Sequence, residues 1–139
     1  MQEYKDIIPK LELEKARNAL EEAKILFASE KYYGAANRSY YAAFHAMSAL
    51  LIYDGYSMKK HSGVISKFRE LYIKTGIFEE AMSEQIAALF KLRTNCDYDT
   101  FYIVARADVE EQIKNAGAII TVIENRFSDI LKERDQTIS

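Results

Sequence analysis

One cysteine, one proline, five glycines and two histidines are all that 139 residues contain of these types, and each scarcity removes a class of explanation. A lone thiol, Cys96, cannot close an internal disulfide, so stability must come from a buried core. His45 and His61 with that single thiol make no zinc-ligand cluster, and neither a metal nor another cofactor is expected. Apolar runs are too short to span a bilayer, so no membrane contact is expected. The opening "MQEYKDIIPK" mixes acids with lysines and lacks the apolar stretch of a secretory signal, which makes a cytoplasmic chain the expectation. A basic excess is missing too. Lys and Arg number 19 against 21 Asp and Glu, a net charge of -2, so any contact with nucleic acid must rest on a local patch.

What is present is helical periodicity. Apolar residues recur at three and four along most of the chain, which predicts an all-α fold, a compact four- to five-helix up-and-down bundle forming one domain with its core at about residues 10–132. The spacing predicts a first helix beginning after Pro9, with Leu13, Ala16, Leu20, Ala23 and Phe27 as its stripe to about Ser29. A second runs from about Lys31 to Asp54, stopped by Gly55, and its core face is Tyr40, Phe44, Met47 and Leu51. Ser62 is the expected cap of a third helix carrying Val64, Phe68, Leu71 and Tyr72 as far as "KTG". A fourth spans about Glu79 to Asn95, a loop follows through "CDYDTFYIVA", and a long last helix starts near Arg106, with the tail "KERDQTIS" expected to fray.

Three features depart from this pattern. On the fourth helix the stripe Met82, Ile86, Leu89, Phe90 is continued by Arg93 and then Asp97. Either the two charges form an internal i, i+4 pair, or Arg93 faces a cleft with Tyr98 and Tyr102 near it, where a guanidinium suits a phosphate or nucleotide. On the second helix a face of Gly34, Arg38, Tyr41, His45 and Ala49 is too apolar for water and small enough for close packing, whether within the bundle, between two copies of the chain or against a ligand. Arg38 and His45 on that face stand ~10 Å apart along the axis, and Arg38 leans away from His45, so the pair does not grip one phosphate. No carboxylate is apparent beside His45, which favours a structural role over that of a base. The third helix carries Lys60, Lys67 and Lys74 at a seven-residue repeat with Lys59 and Arg69 close by, a nucleic-acid-binding edge or merely a solvated one. His61 falls on the apolar side of that helix.

The segments "AANRSYYAAFHAMSALLIYDG", "KKHSG" and "RTNCDYD" together resemble the HEPN family of small helical domains of bacteria and archaea, and the likeness extends from about Leu13 to Phe127. The resemblance implies a bundle that dimerises and works beside a minimal nucleotidyltransferase as the toxin-like member of a toxin and antitoxin pair, handling RNA or a nucleotide. Active members of the family are metal-independent ribonucleases with an Arg, four to six residues, then a His, and often a Tyr two further on. Arg93 matches the first position, but Asp97, Tyr98 and Asp99 stand where the histidine would be, and no histidine follows His61. "RSYYAAFH" has the right spacing in the wrong helix. Arg93, Asp97 and Tyr98 are thus the catalytic candidates, and Lys60, Lys67, Lys74 and Tyr102 the candidates for nucleic acid or nucleotide. The alternative is a non-catalytic nucleotide-binding or assembly module in which Arg93 and Asp97 are structural.

Overall fold

Alanine sets the centre of the molecule. The computed structural model describes residues 2–57 and 60–138, and within them the chain forms α1 (Gln2–Ala28), α2 (Tyr32–Tyr53), α3 (His61–Phe68), α4 (Ala81–Tyr98) and α5 (Arg106–Ile138), with no strand. Six alanines of α2, Ala35, Ala36, Ala42, Ala43, Ala46 and Ala49, are buried, and α1 presents Ala16, Ala19 and Ala23, so the axes can approach closely. The two helices run antiparallel. Gly34 packs where a Cβ would meet Leu26 at 3.2 Å, His45 meets Glu12, and Tyr53 meets Lys5. Helix α5 returns along α1 in the opposite sense, with Arg17 bound to Glu124 and Asp6 to Arg134. A main core of Tyr40, Met47, Leu50, Phe68, Ile86, Leu89, Ile120 and Ile123 lies between the helices, and a smaller one of Ala35, Ala36, Leu92, Val104 and Val109 closes one end.

Several boundaries differ from the periodic reading. Helix α1 does not begin after Pro9 but runs through it, although proline forfeits one helical hydrogen bond and costs about 3 kcal/mol in a helix interior. The turns before it are tied down from elsewhere: both Asp6 carboxylate oxygens accept from Arg134, at 2.7 and 3.0 Å, and the Lys5 ammonium sits 4.3 Å from the centre of the Tyr53 ring. The same tie holds the C-terminal segment, which is helical to Ile138 instead of frayed. Residue Lys60, not Ser62, precedes α3, and no side chain caps it. Past Phe68 the chain widens into a π-helical turn, Arg69–Ile73, and it reverses at Gly76 with φ +86°. Helix α4 begins at Ala81 and reaches Tyr98, so Cys96, Asp97 and Tyr98 are helical, not part of a loop. Between α1 and α2 the chain turns on Glu30 at φ +61°, a left-handed residue without glycine's freedom. The backbone N–H of Lys31 closes that turn onto the Leu26 carbonyl at 2.8 Å.

Candidate functional site

Arg93 enters the bundle because α4 buries Met82, Ile86 and Leu89 on the same side, and only 12 % of its side chain is exposed. Nε lies 2.9 Å from Oδ2 of Asp97, but no aligned hydrogen bond is made there, so the contact is chiefly one of charge. The planar group is boxed by tyrosine rings, 5.1 Å from the centre of Tyr40, 5.5 Å from Tyr41 and 5.8 Å from Tyr98. One of its amino groups donates weakly to the Tyr41 hydroxyl at 3.4 Å. The expected i, i+4 pair therefore exists, Tyr98 stands beside Arg93 as expected, and the rings of Tyr40 and Tyr41, which spacing did not reveal, complete an aromatic clamp around it.

Tyr41 joins this clamp to a second guanidinium. Arg38 lies 5.1 Å from the centre of the same ring, and among the described residues its N–H groups donate to the Asn37 side-chain oxygen alone, at 3.1 and 2.9 Å. Helix α2 thus brings Arg38 to the ring that Arg93 reaches from α4, and among the described residues Asp97, paired with Arg93, is the one carboxylate in an ion pair with either guanidinium. A net positive group of this kind, walled by tyrosine faces, suits one anionic group attached to a planar ring.

His61 completes the arrangement. Its ring is 4.3 Å from Phe44, 5.4 Å from Tyr41 and 5.8 Å from Tyr40, so it shares both tyrosines with Arg93. Burial pushes its pKa below 6.5, and the charges of Arg93 and then His45 push the same way. Its place at the first residue of α3, at the positive end of the helix, also disfavours the imidazolium. Periodicity did put His61 on the apolar side of its helix, but the neighbour it would find there was not in the spacing. Tyr40 is pushed up to about 12 by burial, opposed by Arg93.

The remaining candidates are dispersed. His45 does have a carboxylate partner, contrary to expectation: Nδ1 is 2.7 Å from Glu12 of α1. Gly34 and Ala49 serve packing. Gly34 lies against Leu26, and Ala49, wholly buried, sits on α2 between the His45–Glu12 and Tyr53–Lys5 contacts. Ala49 is closed to a face between two copies, whereas Gly34, Arg38, Tyr41 and His45 are each half-buried and keep part of that face open. Of the lysines, Lys67 is 3.0 Å from Glu70 and lies over Tyr56, while Lys60 and Lys74 are exposed. Lys60 precedes the helix and Lys74 follows the widened turn, which rotates it off an α-helical line, so the expected seven-residue row is broken. Lys59 lies outside the described residues. Arg69 points into the bundle and binds Ser83 through its side-chain oxygen at 2.9 Å and its carbonyl at 3.2 Å. Tyr102 lines a different surface, a groove of about 370 Å³ between α4 and α5 with Lys91, Asn95, Asp108 and Gln112. Cys96 is half-buried with no disulfide, and burial, then Asp97, raises its pKa. Among the described residues no group of acids, cysteines and histidines could hold a metal, and no helix is long and apolar enough to cross a membrane.

The HEPN domain model matches residues 10–126. A protein of Methanocaldococcus jannaschii named "Putative toxin MJ0605" is 39% identical over 119 residues, covering 86% of this chain and 88% of that one. A UPF0332 protein of Thermotoga maritima is 34% identical over 116 residues, covering 84% and 88%. In three dimensions the chain resembles the crystal structure of protein TT1696 from Thermus thermophilus, with a TM-score of 0.72 at 22% identity over 84% of this chain and 96% of that one, a likeness of fold.

Proposed function

The chain belongs to the HEPN domain family, and from that premise we propose that it is a toxin-like protein whose working surface is the Arg38, Tyr41 and Arg93 cluster, which takes a phosphate of single-stranded RNA or of a nucleotide. One observation carries the reading. Among the described residues Arg38 has no carboxylate partner, yet its guanidinium and that of Arg93 both lie within 5.5 Å of the centre of the Tyr41 ring, an arrangement that gathers two cations at one aromatic side chain and favours an anionic ligand there. The name of the archaeal relative supports toxin-like action. The proposal extends to a homodimer and to a minimal nucleotidyltransferase as antitoxin partner. The strongly exposed Tyr98, Phe101 and Ile103, at the end of α4 and just beyond it, offer such assembly an apolar surface that the wholly buried Ala49 does not.

A second reading, a non-catalytic assembly module, is favoured by the 2.9 Å approach of Arg93 to Asp97, which explains Arg93 without any ligand. Titration of a labelled single-stranded oligoribonucleotide separates the two. Arg93→Lys keeps the charge but loses the planar fork, so RNA affinity should fall about tenfold or more with little change in melting temperature. Arg38→Gln should reduce the salt slope of log affinity by about 0.7, the value of one phosphate contact on a single strand. RNA affinity identical in all three proteins would establish the module reading, and absence of RNA binding would remove the first.

A further inference from the structure

We infer that His61 is the proton acceptor of this site, supplied by α3 in place of the histidine that the chain lacks after Arg93; the inference rests on the RNA reading above. The observation behind it is that α3 and α4, approaching from different directions, deliver an imidazole and a guanidinium to the same two rings, Tyr40 and Tyr41. Sharing those rings holds the two groups on the scale of one nucleotide. Among the described residues no hydrogen bond engages the ring nitrogens of His61, and its ring lies against those of Tyr40, Tyr41 and Phe44. His45, by contrast, is engaged by Glu12. His61 is therefore the histidine free to exchange a proton with a ligand.

The groups that face it determine the direction of its titration. From α2 come Tyr40, Tyr41 and His45, with Glu12 of α1 behind His45; from α4 comes Arg93 with Asp97; and Lys60 precedes it in the chain. Burial and the cations prevail, so the ring is neutral at pH 7 and able to take a proton. With an RNA phosphodiester on the two guanidinium groups, neutral His61 removes the proton of the adjacent ribose 2′-hydroxyl. The 2′-oxygen then bonds to phosphorus, the bond from phosphorus to the 5′-oxygen breaks, and that oxygen takes a proton from water. The hydroxide left behind recovers the proton from the imidazolium. The products are a 2′,3′-cyclic phosphate and a 5′-hydroxyl end, and the Arg93 and Arg38 groups stabilise the charge that builds on the phosphoryl oxygens.

The test is cleavage of a labelled oligoribonucleotide by the full chain from about pH 5 to pH 8, across the range where imidazoles titrate. His61→Gln should slow cleavage by about 10²- to 10⁴-fold while RNA affinity stays within about twofold. The wild-type rate should fall on the acid side with an apparent pKa below 6.5. In His45→Gln the plateau rate should be unchanged and the acid limb should move to higher pH, since the interaction with His45 that opposes protonation of His61 has gone. A substrate with a 2′-O-methyl group at the cleaved position should be inert. Should His61→Gln unfold, His61→Asn and the wild-type pH profile carry the same question. Wild-type rates in a folded His61 variant, a pH-independent acid side, or a product without a cyclic phosphate would each overturn the assignment. RNA binding with no cleavage by the wild type would overturn it while sparing the RNA reading, and no RNA binding would overturn both.

Discussion

Tyr40 buries its ring among Tyr41, Phe44, His61 and Phe90 and leaves its hydroxyl without a hydrogen-bond partner among the described residues. A buried hydroxyl that makes no bond is charged the cost of leaving water with nothing in return, so Tyr40→Phe should leave stability unchanged or raise it by about 1 kcal/mol. Urea denaturation measures this directly, and a loss of stability would show that the hydroxyl does find a partner in solution. The ring itself is indispensable on this account, because its face carries the Arg93 guanidinium and its side contacts His61. The same contrast separates the two histidines. His45 is engaged by a carboxylate and His61 only by rings, although the sequence shows both merely as polar interruptions of apolar helices.

Helices α1 and α2 meet through small side chains, and at that scale one methyl group matters. Ala49 has none of its surface exposed, and its neighbours on either side along α2 are engaged by α1. Ala49→Leu should force the two helices apart and cost about 1–3 kcal/mol. Thermal melting at several protein concentrations checks it: a drop in melting temperature independent of concentration is expected, whereas a drop that deepens on dilution would return Ala49 to an interface between copies. The π-helical turn acts at the same scale. By widening the chain after Phe68 it aims Arg69 at Ser83 of α4, and it takes Lys74 out of line with Lys67. A row of lysines regular in sequence is thereby not a row on the surface.

Over the whole molecule, the ends of the chain are held by one another. Asp6, 6 % exposed, receives two hydrogen bonds from Arg134, 128 residues away, and that bonding holds its carboxyl below the usual carboxylate range against the opposing effect of burial. The unfolded chain therefore takes up this proton before the folded one as pH falls, and stability rises with pH across the window. The contribution is whole above the ordinary value of 3.8 and disappears as pH falls through the folded value. Asp6→Asn should accordingly lower the melting temperature at neutral pH, and the difference from wild type should close on acidification to about pH 2, followed by circular dichroism. A difference that persists there would assign the tie to packing instead of charge.

The sequence by itself determined the helices and which residues within each are anomalous. Apolar spacing of three and four is a local property, and it located α2 and the start of α5 closely, as the left-handed glycines Gly55 and Gly76 located two reversals. It also marked Arg93 as a charge in an apolar stripe and Asp97 as its neighbour one turn on, since that relation lies within a single helix. Only the tertiary structure decided what those anomalies meet. Glu12 reaches His45 across 33 positions and Tyr41 reaches Arg93 across 52, and no periodicity in either helix encodes which faces are turned toward each other or at what depth. The same holds for Pro9, whose local preference for a helix start is overridden by contacts to Tyr53 and Arg134 made far along the chain. Helix formation is governed by neighbours within one turn, whereas a site that needs an imidazole and two guanidinium groups on one pair of rings depends on how three helices pack.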